Sequence, residues 1–290
     1  MSYAFFPGCM IQLRLPYMEQ AARKLLDLLD IEVLKMPGAT CCGDPISFQS
    51  LGRDPWLAVA ARNLSIAEEM GKDVLTLCSG CYETLKTANV KLKEEKPLRD
   101  YVNGVLSKLG REFKGTVEVK NLLEALEDAG EDKIEDGVVR PLKGLRVATH
   151  IGCHLVRPSD ILGFDDPIRP VVFDRFVDLA GAESVPYVQK MLCCGAGLRM
   201  VEAKKSARLV EMKLEHVAEA DADCIAVLCP FCMIQYDVTQ RTVKRSDGGD
   251  FRIPVLYYPE LLCLAMGVQP EELGLEHHRT SVESVLKKLP

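Results

Sequence analysis

Val74-Leu75-Thr76-Leu77-Cys78-Ser79-Gly80-Cys81 and Ile225-Ala226-Val227-Leu228-Cys229-Pro230-Phe231-Cys232 share one pattern, a short β-prone run that leads straight into Cys-x-x-Cys. A continuous run of this length, without polar alternation, reads as a strand buried on both faces, as in parallel sheets. A cysteine pair just past its end lies where open α/β sheets bind ligands.

Outward from these runs the match continues. Cys9, Cys41-Cys42-Gly43, Cys78 and Cys81 are repeated in order as Cys153, Cys193-Cys194-Gly195, Cys229 and Cys232. The gaps before and after the doublet are 31 and 35 residues in the first copy, and 39 and 34 in the second. Tyr3-Ala4-Phe5-Phe6 and Leu145-Arg146-Val147-Ala148 supply further strand-like runs, each stopping near a cysteine. Helical patterns over Pro16 to Leu29, Pro55 to Met70 and Arg199 to Ala218 complete a βα alternation. Val119 to Leu126, with Glu124, matches Val255 to Leu262, with Glu260, as the end of a strand entering a helix. The expected architecture is therefore α/β, with two duplicated Rossmann-like halves, residues 1–140 and 141–290, whose parallel sheets are related by pseudo-two-fold symmetry. Unequal offsets place an insertion in Lys91 to Arg111, expected as a loop or partner-facing helix. Glu127 to Gly137 reads as an acidic linker, and the tail after Gly267 as a small helix folding back.

At 290 residues, with 48% hydrophobic and 27% charged content, the chain has ample material for a core. A net charge of −6 without a basic stripe argues against nucleic acid. The start Met1-Ser2-Tyr3-Ala4-Phe5-Phe6-Pro7 is unlike a signal peptide and no run is long enough for a membrane span, so a cytoplasmic location is expected. In a reducing compartment many cysteines imply metal or thiol chemistry rather than disulfides.

Each five-thiol set suits a multinuclear centre better than a single ion. Structural zinc commonly takes two Cys-x-x-Cys pairs, and each copy here offers one, with an adjacent doublet and a lone thiol. Five thiolates would crowd one zinc, whereas an iron–sulfur cluster has several irons to ligate. Zinc or a redox dithiol at one site remains the alternative reading. Cys224 and Cys263 break the repeat and read as small core residues. Gly195-Ala196-Gly197 lacks the third glycine of a dinucleotide loop, so no nucleotide site is expected.

On these residues, and on the opening Tyr3-Ala4-Phe5-Phe6-Pro7-Gly8-Cys9, the whole chain resembles the B-subunit family of heterodisulfide reductase from methanogenic archaea, built on a duplicated cysteine-rich CCG domain. The resemblance implies two noncubane 4Fe-4S clusters, one held by Cys9, Cys41, Cys42, Cys78 and Cys81, the other by Cys153, Cys193, Cys194, Cys229 and Cys232. The implied reaction reduces the mixed disulfide of coenzyme M and coenzyme B, a small-molecule substrate, to two thiols. Implied partners are a small iron–sulfur (C-type) subunit and a flavin-containing (A-type) subunit, with a hydrogenase or formate dehydrogenase further upstream. Related halves also serve thiol:fumarate, lactate and glycolate oxidoreductases, and a scaffold with one zinc site is the reading from another class.

Disulfide reduction takes two electrons and two protons. Two one-electron centres match the first count, and His154, beside Cys153, is the candidate proton donor, its other reading being a hydrogen bond to sulfide or backbone. His150 reads as structural, and His216, His277 and His278 as solvent-facing. Anionic substrate groups would need cations; Arg14, Arg157, Lys190 and Arg199 lie near motif cysteines, and one or two of the four are expected to touch substrate. Met10, Ile11 and Leu13 are a candidate partner contact or a piece of core.

Overall fold

Eight short strands form two sheets in a computed structural model that describes residues 1–289. The first contains β1 (Ser2–Phe6), β2 (Glu32–Lys35), β3 (Val74–Thr76) and β4 (Val119–Asn121), in the order β2-β1-β3-β4. The second contains β5 (Arg146–His150), β6 (Glu183–Ser184), β7 (Cys224–Val227) and β8 (Val255–Tyr257), in the order β6-β5-β7-β8. Every pairing within these sheets is parallel. The residues of the central strands that abut the loops sit in matching registers, Phe6 beside Thr76 and His150 beside Val227. In both sheets strand order reverses between the first and third strands of the half, and the cleft for ligands opens at such a point.

The core explains the apolar runs. Ala4, Val74, Leu75, Val147, Ala148, Ile225, Ala226 and Val227 are all fully buried, as strands covered by helices on both faces require. The expected repeat after β4 and β8 is present in detail: Glu124 and Glu260 sit at the third helical position and accept the backbone N–H of Asn121 and Tyr257, each at 2.8 Å. Such a reciprocal cap satisfies donors that would otherwise be orphaned at a helix start.

The halves are joined by more than the chain crossing. Every residue of the helix Tyr258–Ala265 is buried, and it packs on the first half's helix Pro16–Leu28, where the Cys263 thiol reaches the Ala21 carbonyl. Truncating one of its leucines, such as Leu261 or Leu262, would cost about 2–5 kcal/mol. Helix Ser79–Glu94 packs in turn on the second half's Cys153–Val156.

Two expectations need correction, and a third, on the insertion, is sharpened. Glu127 to Gly137 is not an open linker, because it completes helix Leu122–Ala129 and forms helix Glu131–Gly137 with Ile134 buried. Arg175 pins this segment from the second half by pairing with Glu127 and, at 3.0 Å, with Glu131. The Lys91 to Arg111 insertion is helical, one of the two forms expected of it, with helix Lys96–Leu106 burying Val102 and Leu106 against the chain's own core and leaving Tyr101 exposed. His278 is not solvent-facing: its side chain is fully buried, with Nδ1 2.9 Å from the Val255 carbonyl and Nε2 3.1 Å from Glu260. The tail folds back through short turns and helix Glu283–Leu286, and this return covers His278. His277 is exposed, His216 is partly exposed beside Glu219, and Cys224 and Cys263 lie in the core.

Candidate metal centre

Strand ends and helix starts place the thiols. Cys9 and Cys153 open short helices just after β1 and β5. Cys78 and Cys229 are the N-caps of helices Ser79–Glu94 and Pro230–Thr239, which puts Cys81 and Cys232 in the first turn of each. The N-terminal end of a helix favours negative charge, and the Cys229 thiol at such an end is held well below its ordinary value, first by the Cys232 and Cys78 thiols and further by the backbone N–H groups of Cys232 and Phe231. The doublets lie on irregular backbone and turn at Gly43 (φ +73°) and Gly195 (φ +80°), conformations that favour glycine. Each turn is anchored: Trp56 Nε1 and Thr84 Oγ1 donate to the Gly43 carbonyl at 3.0 and 2.9 Å, and Ser206 Oγ donates to the Gly195 carbonyl at 2.9 Å.

All ten repeat cysteines line one cavity of about 280 Å³ between the halves. The two sets have the same exposure pattern: Cys9 and Cys153 are half-buried, Cys41 and Cys193 exposed, and the remaining six buried. All ten are free thiols. Cys9 and Cys41 sulfurs are 3.7 Å apart, and the Cys78 and Cys229 thiols, one from each half, shift each other's protonation, Cys78 up and Cys229 down. The two sets therefore face one another across a single cavity.

Charge determines what such a cluster of thiols can hold. Contacts with one another and burial push Cys9, Cys42, Cys78 and Cys81 up, as they do Cys153, Cys194 and Cys232 in the other set. Cys41 is pulled down to about 2 by donors from Cys42 and Cys9, and Cys193 to about 2 by donors from Cys153 and Cys194. Cys229 is also held well below its ordinary value, by contacts with Cys232 and Cys78, so one thiolate is accommodated in the first set and two in the second, and five would repel one another unless a polycation compensates them. Two buried atoms on the same wall, Ser79 Oγ and His150 Nε2, have no hydrogen-bond partner among the described residues. Donor set, charge and orphaned polar atoms all fit a multinuclear iron–sulfur centre in each half.

His154 lines the cavity, and its Nδ1 is bonded to Glu83, a buried residue of the first half that sequence reasoning missed. Burial pulls the His154 pKa down, but the Glu83 carboxylate more than offsets this and holds it above the ordinary value. The signal was a glutamate two residues past Cys81, where the second half has Ile234 past Cys232. None of the four candidate cations lines the cavity. Arg157 donates to the Pro167 carbonyl at 2.6 Å, Lys190 pairs with Asp174, Arg199 contacts Gln235 at 3.4 Å, and Arg14 faces outward. Met10 lines the cavity, Ile11 is core and Leu13 is exposed. The mouth is largely apolar, with Ile46, Met200, Val201 and Phe231 on it.

The profile of a cysteine-rich CCG domain matches residues 3–86 and again 147–237. The chain is 40% identical over 289 residues to the B subunit of a ferredoxin/F420H2-dependent CoB-CoM heterodisulfide reductase of Methanosarcina acetivorans, covering 99% of this chain and 96% of the relative. It is 40% identical to the B subunit of the ferredoxin:CoB-CoM heterodisulfide reductase of Methanosarcina mazei, with the same coverage, and 32% identical to the 8-methylmenaquinol:fumarate reductase membrane anchor subunit of Wolinella succinogenes, covering 95% and 96%. A solved structure of a hypothetical protein from Helicobacter pylori shares the fold, with a TM-score of 0.76 and 16% identity over 97% of this chain and 52% of that one. No helix among the described residues is long and apolar enough to cross a membrane. With two matched CCG repeats and full-length relatives at 40% identity, the chain belongs to the duplicated cysteine-rich domain family of heterodisulfide reductase B subunits.

Proposed function

We propose that this chain is the catalytic iron–sulfur subunit of a heterodisulfide reductase, converting the coenzyme M–coenzyme B mixed disulfide, two electrons and two protons into the two free thiols. The observation that carries this is the convergence of both five-thiol sets on one cavity between the halves. In this reading residues 1–140 and 141–290 are the two units, Cys9, Cys41, Cys42, Cys78 and Cys81 hold one noncubane 4Fe-4S cluster, and Cys153, Cys193, Cys194, Cys229 and Cys232 hold the other. Bound there, such clusters would supply one-electron chemistry.

The chain's own residues do the rest. Glu83 takes His154 Nδ1 and fixes the ring, leaving Nε2 as the nitrogen that can hold a proton for a departing thiolate. Ile46, Met200, Val201 and Phe231 give the mouth an apolar rim that favours the alkyl parts of a substrate and excludes water. Electrons enter through docked C-type iron–sulfur and A-type flavin subunits, served by a hydrogenase or formate dehydrogenase, in the cytoplasm. Identity of 40% to heterodisulfide reductase subunits against 32% to the fumarate reductase subunit favours a disulfide substrate over fumarate chemistry.

The test is anaerobic purification, iron analysis, and assay with the mixed disulfide and a reduced viologen dye. About eight irons per chain and thiol release are expected. A complex with full iron that does not reduce this disulfide would overturn the substrate assignment. His154→Gln should keep the iron and lose most of the turnover; undiminished turnover would remove His154 from the proton path.

A further inference from the structure

The two thiol sets are copies, but the residues behind them are not. His150 ends β5 three residues before Cys153 and pairs with Val227, and the residue in that place in the first half is Phe6, which ends β1 three residues before Cys9 and pairs with Thr76. His150 is buried and lines the cavity. Its ring stands edge-on to Tyr236 at 4.9 Å between centroids, with Nδ1 3.5 Å from the Tyr236 hydroxyl. Nε2 has no hydrogen-bond partner among the described residues, and a ring nitrogen of His150 and the sulfurs of Cys194 and Cys232 all lie within 4.8 Å of one another. Phe6 offers its site no donor.

A second difference lies one layer further out. Ser206 holds the Gly195 carbonyl as Trp56 holds that of Gly43, which sets the helices Ala203–Glu219 and Arg53–Met70 in register. Seven residues beyond those anchors stand Lys213 and Asn63. Asn63 is neutral and bonds the first doublet loop, donating to the Cys41 carbonyl at 3.1 Å. Lys213 is fully buried and donates to the carbonyls of Gln189 and Lys190, both at 2.7 Å, in the loop that leads to the second doublet. Burial pulls its pKa down to about 7, against which the nearby thiols of the second set act.

We propose that His150 donates a hydrogen bond to the sulfur shell of the second centre and, with Lys213 behind it, makes that centre the more easily reduced of the two. The first electron to enter the chain then comes to rest in the second half. This rests on the reading that both thiol sets hold iron–sulfur clusters. The step adds one electron and one negative charge, supplied by a low-potential one-electron donor, and no bond is made or broken. Hydrogen bonds to sulfur and nearby positive charge stabilise the more negative, reduced state of such a centre. Arg62 bonds the first doublet loop at the Gly38 carbonyl as Lys213 bonds the second, so the difference lies in the buried imidazole of His150 at the sulfurs, where the first half has Phe6.

The experiment is a potentiometric titration, followed by electron paramagnetic resonance, of chains in which one site is removed. Cys42→Ser leaves the second site and Cys194→Ser the first, with His150 native in both. At about four irons in each chain, the second site should be reduced at a higher potential by at least a tenfold difference in electron occupancy, which for one electron is about 59 mV. In the Cys42→Ser background, His150→Phe, which copies the first half, should remove most of that gap, and His150→Gln, which keeps an N–H donor, should retain more of it. If both single-site chains carry their iron and titrate together, or if His150→Phe loads iron and leaves the gap intact, the inference is wrong while the cluster reading stands. If neither binds iron, the cluster reading itself fails. Should His150→Phe fail to fold, the comparison of the two single-site chains still decides the matter.

Discussion

Gly8→Ala should strip iron from the first site and spare the second. Gly8 has φ +92°, and a methyl group added there would stand 3.1 Å from the Cys81 sulfur and 3.3 Å from Cys78 Cβ. Holding an alanine in that backbone region costs about 1–3 kcal/mol, which is about 5- to 150-fold in an equilibrium between the native loop and a relaxed one. Relaxation moves Cys9, the next residue, or the Cys78/Cys81 pair by a few tenths of an ångström, so the strain falls on three of five thiols in one set. The control is Gly152→Ala, the same residue in the second half with φ +85°, where the added methyl meets Ser79 Oγ at 3.1 Å and no thiol. Its backbone strain is similar and bears on Cys153 alone, because the methyl meets a serine hydroxyl rather than a further pair of thiols. Anaerobic reconstitution with iron and sulfide, followed by iron analysis, should give about half the native iron for Gly8→Ala and clearly more than that for Gly152→Ala. Equal iron in the two variants would refute the reasoning, because strain alone would then account for both.

Trp56 is the only tryptophan, is buried, and bonds the carbonyl next to Cys42, so its fluorescence should fall as the first site fills; Cys42→Ser should abolish that quenching and Cys194→Ser should not. In iron-free, reduced protein a bulky thiol reagent should modify Cys41 and Cys193 first, since these alone among the ten are exposed, and mass spectrometry showing buried Cys78 or Cys229 labelled earlier would contradict the geometry. His278 is pulled down by burial but lifted more strongly by Glu260, so its folded pKa lies above the unfolded value. The stabilisation is then complete below the ordinary histidine range near 6.5 and is lost as pH rises through the folded value. Glu260→Gln exchanges a charge-assisted hydrogen bond for a neutral one at a cost of about 1–2 kcal/mol, or about 2–8 °C in melting temperature, and should flatten the pH slope seen by calorimetry; an unchanged slope would assign it elsewhere.

What could be read from the sequence was what local chemistry dictates. The strands around Val74 and Ile225 were visible because parallel strands buried on both faces must be apolar throughout, and the matched glutamates 124 and 260 were visible because caps act within one helical turn. The ten thiols announced themselves by repetition. What failed depended on distant partners. His278 lies in a polar tail and is buried only because that tail folds back over β8. Glu83 meets His154 across the halves, a contact 71 positions apart in the chain. Arg157 and Lys190 sit near motif cysteines in sequence, yet local carbonyls and Asp174 hold them away from the cavity. Proximity along the chain says little about which way a long side chain turns.

The buried helix Tyr258–Ala265, wedged against Pro16–Leu28, also bears on how the protein matures. Opening the halves like a book to admit preformed clusters would expose that helix to water, at a cost comparable to the stability of a whole domain. With the halves closed, the thiols are reached through the mouth, where the doublet loops carry Cys41 and Cys193 outermost. A reagent or metal ion arriving from solvent meets these two thiols before the buried six.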